Sequence, residues 1–101
     1  MTTFEQLQER TVTWAKNKGI LEHGTPEGQA KKTLEESNEL LNAVKANDRA
    51  EIADGIADIL VTIIIQSEMQ GMDILAELEK VLTILESRKG RMQGGQFVKE
   101  K

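Results

Sequence analysis

The chain has 101 residues, of which 39% are hydrophobic, and it has no cysteine and a formal net charge of −4, a composition that suits one small globular domain. The absence of cysteine excludes disulfides, thiolate metal sites and a cysteine nucleophile, and the acidic balance argues against a nucleic-acid partner, because such binders usually carry a basic excess. The longest apolar run, residues 59–65, is far shorter than the ~20 residues of a membrane-spanning helix, and the polar N-terminus has no apolar signal segment, so we expect a cytoplasmic protein with no membrane partner.

Capping signals and glycines place the first two predicted helices. Thr3 and Gln6 form a capping box that begins the first helix, and Gly19 ends it. A loop over residues 20–24 follows. The second helix occupies about residues 26–45, because an N-cap threonine and a proline at the first helical position begin it.

The same signals place two more helices and a tail. Asp48 and Glu51 form a second capping box for a third helix, which ends at Gly71, and Asp73 caps a fourth. Residues 91–101 are predicted to be an extended tail. The sequence therefore predicts a single all-α domain, four-helix bundle-like, that spans the whole chain. Because a chain this short buries a modest share of its surface and its last two helices are strongly apolar, we expect a homodimer or homotetramer.

Two acidic residues of the second predicted helix lie on one shoulder of its apolar face. At about 100° per residue, Glu36 and Glu39 fall on that shoulder, whereas Glu35 points away from the core. Carboxylates one turn apart can share a cation. The alternative is a solvated surface, on which Lys32 would simply pair with Glu36.

The third predicted helix carries a second acidic group on an unusually apolar background. Apolar residues surround this helix nearly completely, which predicts burial, yet Glu51, Asp54 and Asp58 fall within roughly 60° of one another. Burying neighbouring carboxylates costs on the order of several kcal/mol, so a positive group must compensate. Oxygen ligands select hard cations such as Mg²⁺ or Mn²⁺. For Glu51 a purely structural role in the helix cap is an equal alternative, whereas we expect Asp58 to be buried.

These two acidic segments, EESNE at 35–39 and EIADGIADIL at 51–60, resemble the all-α nucleotide pyrophosphohydrolase superfamily and, within it, short phage-type MazG-like proteins. The signature of that group is E-E-x-x-E, a spacer, and E-x-x-D. The resemblance implies Mg²⁺-dependent hydrolysis of nucleoside or deoxynucleoside triphosphates to monophosphate and pyrophosphate, in the cytoplasm of a bacterial cell or a phage-infected host. It extends over nearly the whole chain and includes Trp14, residues 19–25, Gln29, Lys32, residues 88–91 and residues 97–99.

The resemblance also implies roles for individual residues, although it leaves two registers open in the second motif. Glu51-x-x-Asp54 fits the pattern literally, whereas a register centred on Asp58 puts Gly55 where a glutamate is expected. The implied metal ligands are Glu36, Glu39, Asp54, Asp58 and Glu51. The attacking water would be oriented or deprotonated by Glu35 or Glu36. The phosphates would be bound by Lys32, Arg88, Lys89 and Arg91, and the base would stack on Trp14. Salt bridges or the helix macrodipole are the alternative for the basic residues, and a core position is the alternative for the tryptophan. We expect His23 to be incidental.

Two other functions remain open from the sequence. A helical module of the same fold could sense a nucleotide or hold a partner without catalysis, and a carboxylate lost at Gly55 would be typical of such a module. A helix-turn-helix nucleic-acid binder is the second, and the acidic balance argues against it.

Overall fold

The computed structural model describes residues 1–100 and is mostly helical, with a small antiparallel hairpin at its C-terminal end; Lys101, the last residue of the predicted tail, lies outside the described residues. The elements in chain order are α1 (Phe4–Asn17), α2 (Ile20–His23), α3 (Pro26–Lys45), α4 (Arg49–Met69), α5 (Ile74–Ser87), β1 (Gly90–Gln93) and β2 (Gln96–Lys99). The four long helices predicted from the sequence are thus present. No helix within residues 1–100 is long and apolar enough to cross a bilayer.

The helix starts follow from side-chain caps. The predicted capping box of α1 is confirmed: the Thr3 hydroxyl accepts from the Gln6 amide at 3.1 Å, and the Gln6 side chain accepts from the Thr3 amide at 2.9 Å. At α4 only half of the predicted box forms. The Asp48 carboxylate accepts from the Glu51 amide at 3.2 Å, but within the described chain the Glu51 side chain does not return the bond, which leaves its carboxylate free for another role.

Two segments differ from the sequence prediction. The predicted loop at 20–24 contains the single helical turn α2, which begins after Gly19 in the left-handed region at φ +78°. The tail is extended within each strand, as predicted, but it folds back on itself. Gly94 and Gly95, with φ of +58° and +78°, form a two-residue turn of the kind that closes β-hairpins, and β1 pairs with β2 in antiparallel register.

Helices α3 and α4 pack antiparallel and form the centre of the fold. Thr33 Oγ1 donates to Thr62 Oγ1 at 2.9 Å, and Leu40 lies against Gly55. The two helices therefore run side by side, and each step of one residue forward along α3 corresponds to one residue backward along α4. Helix α1 packs on α4 and on α2. The buried apolar residues come from these three long helices: Ala15, Ala43, Ile64 and Ile65.

Within one chain the fourth long helix does not join the other three, so the described chain by itself is not the predicted four-helix bundle; the predicted dimer or tetramer stays a prediction. Helix α5 packs extensively on no other helix of the described chain, and five of its apolar residues are 44–54% exposed: Leu78, Val81, Leu82, Ile84 and Leu85. The prediction that the third predicted helix, now α4, is buried all round is also wrong for a single chain. Its Ile56, Leu60 and Ile63 are exposed, because α3 and α1 cover only part of its circumference.

Candidate metal and nucleotide site

Gly55 marks the direction in which α4 faces α3. A Cβ atom added there would lie 3.2 Å from the Leu40 Cβ and 3.3 Å from the Leu40 Cα, so the two backbones approach closely because residue 55 is glycine. The register centred on Asp58 expects a glutamate at this position. A glutamate side chain would be directed into α3, so the glycine at this position allows the close approach of the two helices.

The acidic residues of α3 lie on one flank of this crossing. Relative to Leu40, which faces α4, Glu36 is rotated by roughly 40° and Glu39 by roughly 100° in the same sense. Glu35 is rotated by roughly 140°, which directs it away from the groove between the helices. This orientation corrects the one inferred from the apolar pattern of the sequence. Leu34, Leu41 and Val44, which form the apolar face of this helix, are exposed, whereas Glu36 lies on the face that is buried.

The acidic residues of α4 lie on the same flank. Relative to Gly55, Glu51, Asp58 and Asp54 are rotated by roughly 40°, 60° and 100°, in the same sense as the acids of α3. Viewed from one end, two antiparallel helices turn in opposite senses. Rotations of the same sign, relative to Leu40 on α3 and to Gly55 on α4, therefore put the acids of both helices on the same side of the groove. We call this side, formed by Glu36, Glu39, Glu51, Asp54 and Asp58, the acidic flank.

Position along the helix axes distinguishes between the two possible registers of the second acidic motif. With one residue of α3 per residue of α4, Asp58 lies within about one residue, or ~1.5 Å, of the height of Glu36, and Asp54 within about two residues, or ~3 Å, of Glu39. Glu51 lies about five residues, or ~7.5 Å, beyond Glu39. Asp58 and Asp54 are therefore better placed than Glu51 to act together with the acids of α3.

Glu36 is the member of the acidic flank that packing holds in place. It is 8% exposed, its Oε2 atom is buried without a hydrogen-bond partner, and its Oε1 atom lies 3.6 Å from Lys32 Nζ. The same Nζ lies 3.6 Å from the Glu35 carboxylate. The negative charges of Glu35 and, second, Glu36 raise the pKa of Lys32. A buried carboxylate oxygen without a partner is unfavourable, and a cation in the groove would satisfy it.

The remaining acids are not gathered around Glu36. Within residues 1–100 no group of three or more His, Asp or Glu side chains is close enough to hold a metal ion. Glu39, Glu51, Asp54 and Asp58 are exposed, so the expected burial of Asp58 is wrong. Hydrated carboxylates of like charge repel one another and spread apart, and the exposed positions of these four leave their side chains free to turn.

A groove between α1 and α4 begins at Asp58. It has a volume of about 420 Å³ and is lined by Leu7, Arg10, Thr11, Trp14, Asp58 and Val61, which is within the usual size of small-molecule sites. Trp14 is 47% exposed, so the alternative of a core tryptophan is wrong. Sequence reasoning missed Arg10; the signal was its place in the pattern 7, 10, 11 and 14, which puts these residues on one helical face.

The basic residues near the C-terminus are not brought to the acidic flank within one chain. Arg88 is the C-cap of α5, Lys89 follows it, and Arg91 lies on β1; all three are exposed. His23 is exposed at the end of α2, where its Nε2 lies 3.7 Å from the Glu22 carboxylate.

Comparison with known proteins identifies the family of this chain. Residues 24–92, which include both acidic segments, match the MazG nucleotide pyrophosphohydrolase domain. The chain is also similar to a protein of Haemophilus phage HP1 (strain HP1c1) described as "Uncharacterized 18.2 kDa protein in rep-hol intergenic region", with 31% identity over 77 residues, 76% of this chain and 47% of that protein. The chain thus spans about half the length of this relative, and no solved structure matches it. With more than half of its length matched by the family model, the chain belongs to the MazG nucleotide pyrophosphohydrolase domain family.

Proposed function

We propose that this protein hydrolyses nucleoside or deoxynucleoside triphosphates to monophosphate and pyrophosphate, with a divalent cation held by Glu36, Glu39, Asp58 and Asp54. The observation that carries the proposal is the buried, unpartnered Oε2 atom of Glu36 on the acidic flank. Family membership over residues 24–92 supports the reaction class.

The chemistry of the acidic flank fits Mg²⁺, with Mn²⁺ as a substitute. Every candidate donor is a carboxylate oxygen, which hard divalent cations prefer. Glu36 is fixed by packing, whereas the exposed Glu39, Asp54 and Asp58 can turn toward the groove. When bound, the cation would neutralise phosphate charge and lower the pKa of a water molecule.

The orientation of the attacking water and the binding of phosphate fall to individual side chains of α3. Glu36 faces the groove and is the better candidate to orient the attacking water, whereas Glu35 points away from it and holds Lys32. Lys32, whose ammonium group is charged at neutral pH, lies 3.6 Å from the Glu36 carboxylate and can donate to a phosphate oxygen. Glu51 is the remaining candidate metal ligand, and along the helix axes it is the acid of α4 most distant from Glu36 and Glu39.

The groove between α1 and α4 is our proposed base site. Trp14 offers an exposed aromatic face on which a base can stack. Arg10 lines the same groove and can donate to a carbonyl oxygen of the base or to a phosphate. Because Asp58 borders both this groove and the acidic flank, a nucleotide can place its base beside Trp14 and its phosphates beside the carboxylates.

The direct test is a nucleotide panel. Purified protein is incubated with each ribo- and deoxynucleoside triphosphate and Mg²⁺, and pyrophosphate and monophosphate are measured. We expect both products from at least one nucleotide and their loss in Asp58→Asn. Glu68→Gln is the matched control, because Glu68 is an exposed acid of α4 outside the acidic flank, and this variant should keep its activity. Absence of pyrophosphate with every nucleotide would contradict the proposal.

A non-catalytic nucleotide-sensing module is the second candidate. Two observations favour it: Gly55 stands where one register expects a carboxylate, and the described acids do not form a group of three. Trp14 is the single tryptophan of the chain, so its fluorescence reports binding separately from turnover. Quenching by a nucleotide without release of pyrophosphate would identify the module.

A further inference from the structure

The face of α3 that packs on α4 is polar near the start of α3. Thr33 Oγ1 donates to Thr62 Oγ1 at 2.9 Å, and Gln29 Nε2 donates to the backbone carbonyl oxygen of Thr62 at 3.2 Å. Gln29 and Thr62 are buried, and buried polar groups are unfavourable unless they are hydrogen-bonded. A shift of α3 along α4 would break both bonds, so together they hold the two helices in one register.

The direction of the bond between the two threonines follows from the single hydrogen of each hydroxyl group. Thr62 donates its own hydrogen to the Ile59 carbonyl oxygen at 2.7 Å, so its Oγ1 atom accepts from Thr33. Thr33 has a second acceptor within reach, the Gln29 carbonyl oxygen at 3.2 Å. Removing the Thr62 hydroxyl would therefore break the bond between the helices without leaving the Thr33 hydroxyl unpartnered.

The threonine pair lies next to two of the candidate metal ligands. Glu36 comes three residues after Thr33 and Asp58 four residues before Thr62, and residues at these spacings are neighbours on a helix. Glu36 is buried and its side chain is held by packing, and the aspartate side chain is short, so neither carboxylate can reach far. The register of α3 on α4 therefore determines how closely the two carboxylates approach.

We propose that Thr62 is a positioning residue for the divalent cation. Its hydrogen bond with Thr33 holds α3 on α4 at the height at which the carboxylates of Glu36 and Asp58 bind one ion. A displacement by one residue would move one carboxylate by ~1.5 Å relative to the other. The identity of the ligands rests on the proposed function, whereas the hydrogen bonds do not.

A positioning role predicts an effect on ion selectivity. Mg²⁺ requires near-ideal octahedral geometry at about 2.0–2.1 Å, whereas Ca²⁺ accepts a flexible geometry at about 2.3–2.6 Å. A displaced carboxylate therefore weakens the binding of Mg²⁺ more than the binding of Ca²⁺. A loss of stability alone would weaken the binding of both ions equally, because it reduces the fraction of protein that is competent to bind.

Isothermal titration calorimetry without nucleotide measures both affinities in Thr62→Val, which keeps the shape of the side chain but lacks the hydroxyl. We expect Mg²⁺ binding to weaken about ten-fold, the low end of the effect of residues that orient metal ligands, and Ca²⁺ binding to weaken less. Thr62→Ser retains the hydroxyl and should keep the Mg²⁺ affinity. Ser67→Ala is the matched control on α4. Ser67 Oγ donates to the Ile64 carbonyl oxygen of its own helix at 2.7 Å and, within the described chain, does not bond to α3.

A second variant tests the same bond from α3 and decides the question if Thr62→Val does not fold. Thr33→Val should weaken Mg²⁺ binding as Thr62→Val does, and the double variant should bind no more weakly than either single variant, because all three lack the same bond. Circular dichroism and chemical denaturation verify the fold of each variant. Additive losses, equal weakening of Mg²⁺ and Ca²⁺ binding, or an unchanged Mg²⁺ affinity would each overturn the inference. A Thr62→Ser protein that binds as weakly as Thr62→Val would overturn it as well.

Metal binding without nucleotide also separates the positioning role from the proposed reaction. A wild-type protein that binds Mg²⁺, loses this affinity in Thr62→Val and hydrolyses no nucleotide would keep the positioning role and reject the reaction. A wild-type protein that binds neither ion in the absence of nucleotide would overturn the positioning role, whether or not it releases pyrophosphate.

Discussion

Replacing Glu36 by glutamine removes the charge of the carboxylate that α3 buries against α4, and its effect on stability can be worked out from the structure. Its Oε2 atom has no hydrogen-bond partner. An unsatisfied buried polar atom costs about 1–3 kcal/mol and more when the group is charged, so the neutral amide, which is unpartnered as well, removes only the part of the cost that is due to charge. The ion pair lost with Lys32 is weak, about 0–1 kcal/mol, because the lysine is more than half exposed. In the absence of metal we expect Glu36→Gln to be more stable by about 1 kcal/mol, a rise in Tm of about 4–8 °C.

In the presence of Mg²⁺ we expect the wild-type protein to be more stable than Glu36→Gln. At a Mg²⁺ concentration ten times the dissociation constant, binding stabilises the wild-type protein by about 1.4 kcal/mol, and the variant lacks the ligand that packing holds in place. Thermal unfolding in EDTA and in Mg²⁺ measures both effects. Glu35→Gln is the matched control, since Glu35 lies at the same 3.6 Å from Lys32 but is exposed, and its removal should not raise Tm. A Glu36→Gln protein that is less stable in EDTA and still stabilised by Mg²⁺ would refute the reasoning.

Three further predictions concern other parts of the site. Gly55→Ala should lower the free energy of unfolding by about 1 kcal/mol in chemical denaturation, because crowding against α3 exceeds the gain in helix propensity; a more stable variant would contradict the close approach. Trp14→Ala should raise KM for the nucleotide at least several-fold with little change in kcat, and an unchanged KM would remove Trp14 from the base site. The Lys32 pKa, followed by NMR, should fall more in Glu35→Gln than in Glu36→Gln. Because folding raises this pKa, its contribution to stability is present below about pH 10 and is lost as pH rises through the folded-state value.

Helix boundaries could be predicted from the sequence because local chemistry determines them. Thr3, Thr25, Asp48 and Asp73 each accept a backbone hydrogen bond at the first turn of the helix that they were predicted to begin. The hairpin was missed although its signal is local as well: Gly94-Gly95 between short extended segments is a typical hairpin turn.

Burial could not be predicted in the same way, because periodicity identifies an apolar face but not the element that covers it. Helix α5 has a clear apolar face, yet that face is left open within one chain. Asp58 was expected to be buried because its neighbours are apolar, but it lines the groove between α1 and α4 and is exposed there. Glu36 was placed on a shoulder of the apolar face of its helix, but that face is exposed at Leu34 and Leu41 and Glu36 itself is buried. Its unpartnered oxygen became visible only from the packing of α3 on α4.

The central claim is that Glu36, Glu39, Asp54 and Asp58 converge on one divalent cation. Titration of ¹⁵N-labelled protein with trace Mn²⁺ tests it directly, because the paramagnetic ion broadens nearby amide signals. We expect the signals of residues 35–40 and 54–58 to lose intensity first, and Asp58→Asn to weaken the effect on both helices together. Equal broadening at exposed acids elsewhere, such as Glu5 and Glu77, would show that the acidic flank is an ordinary solvated surface.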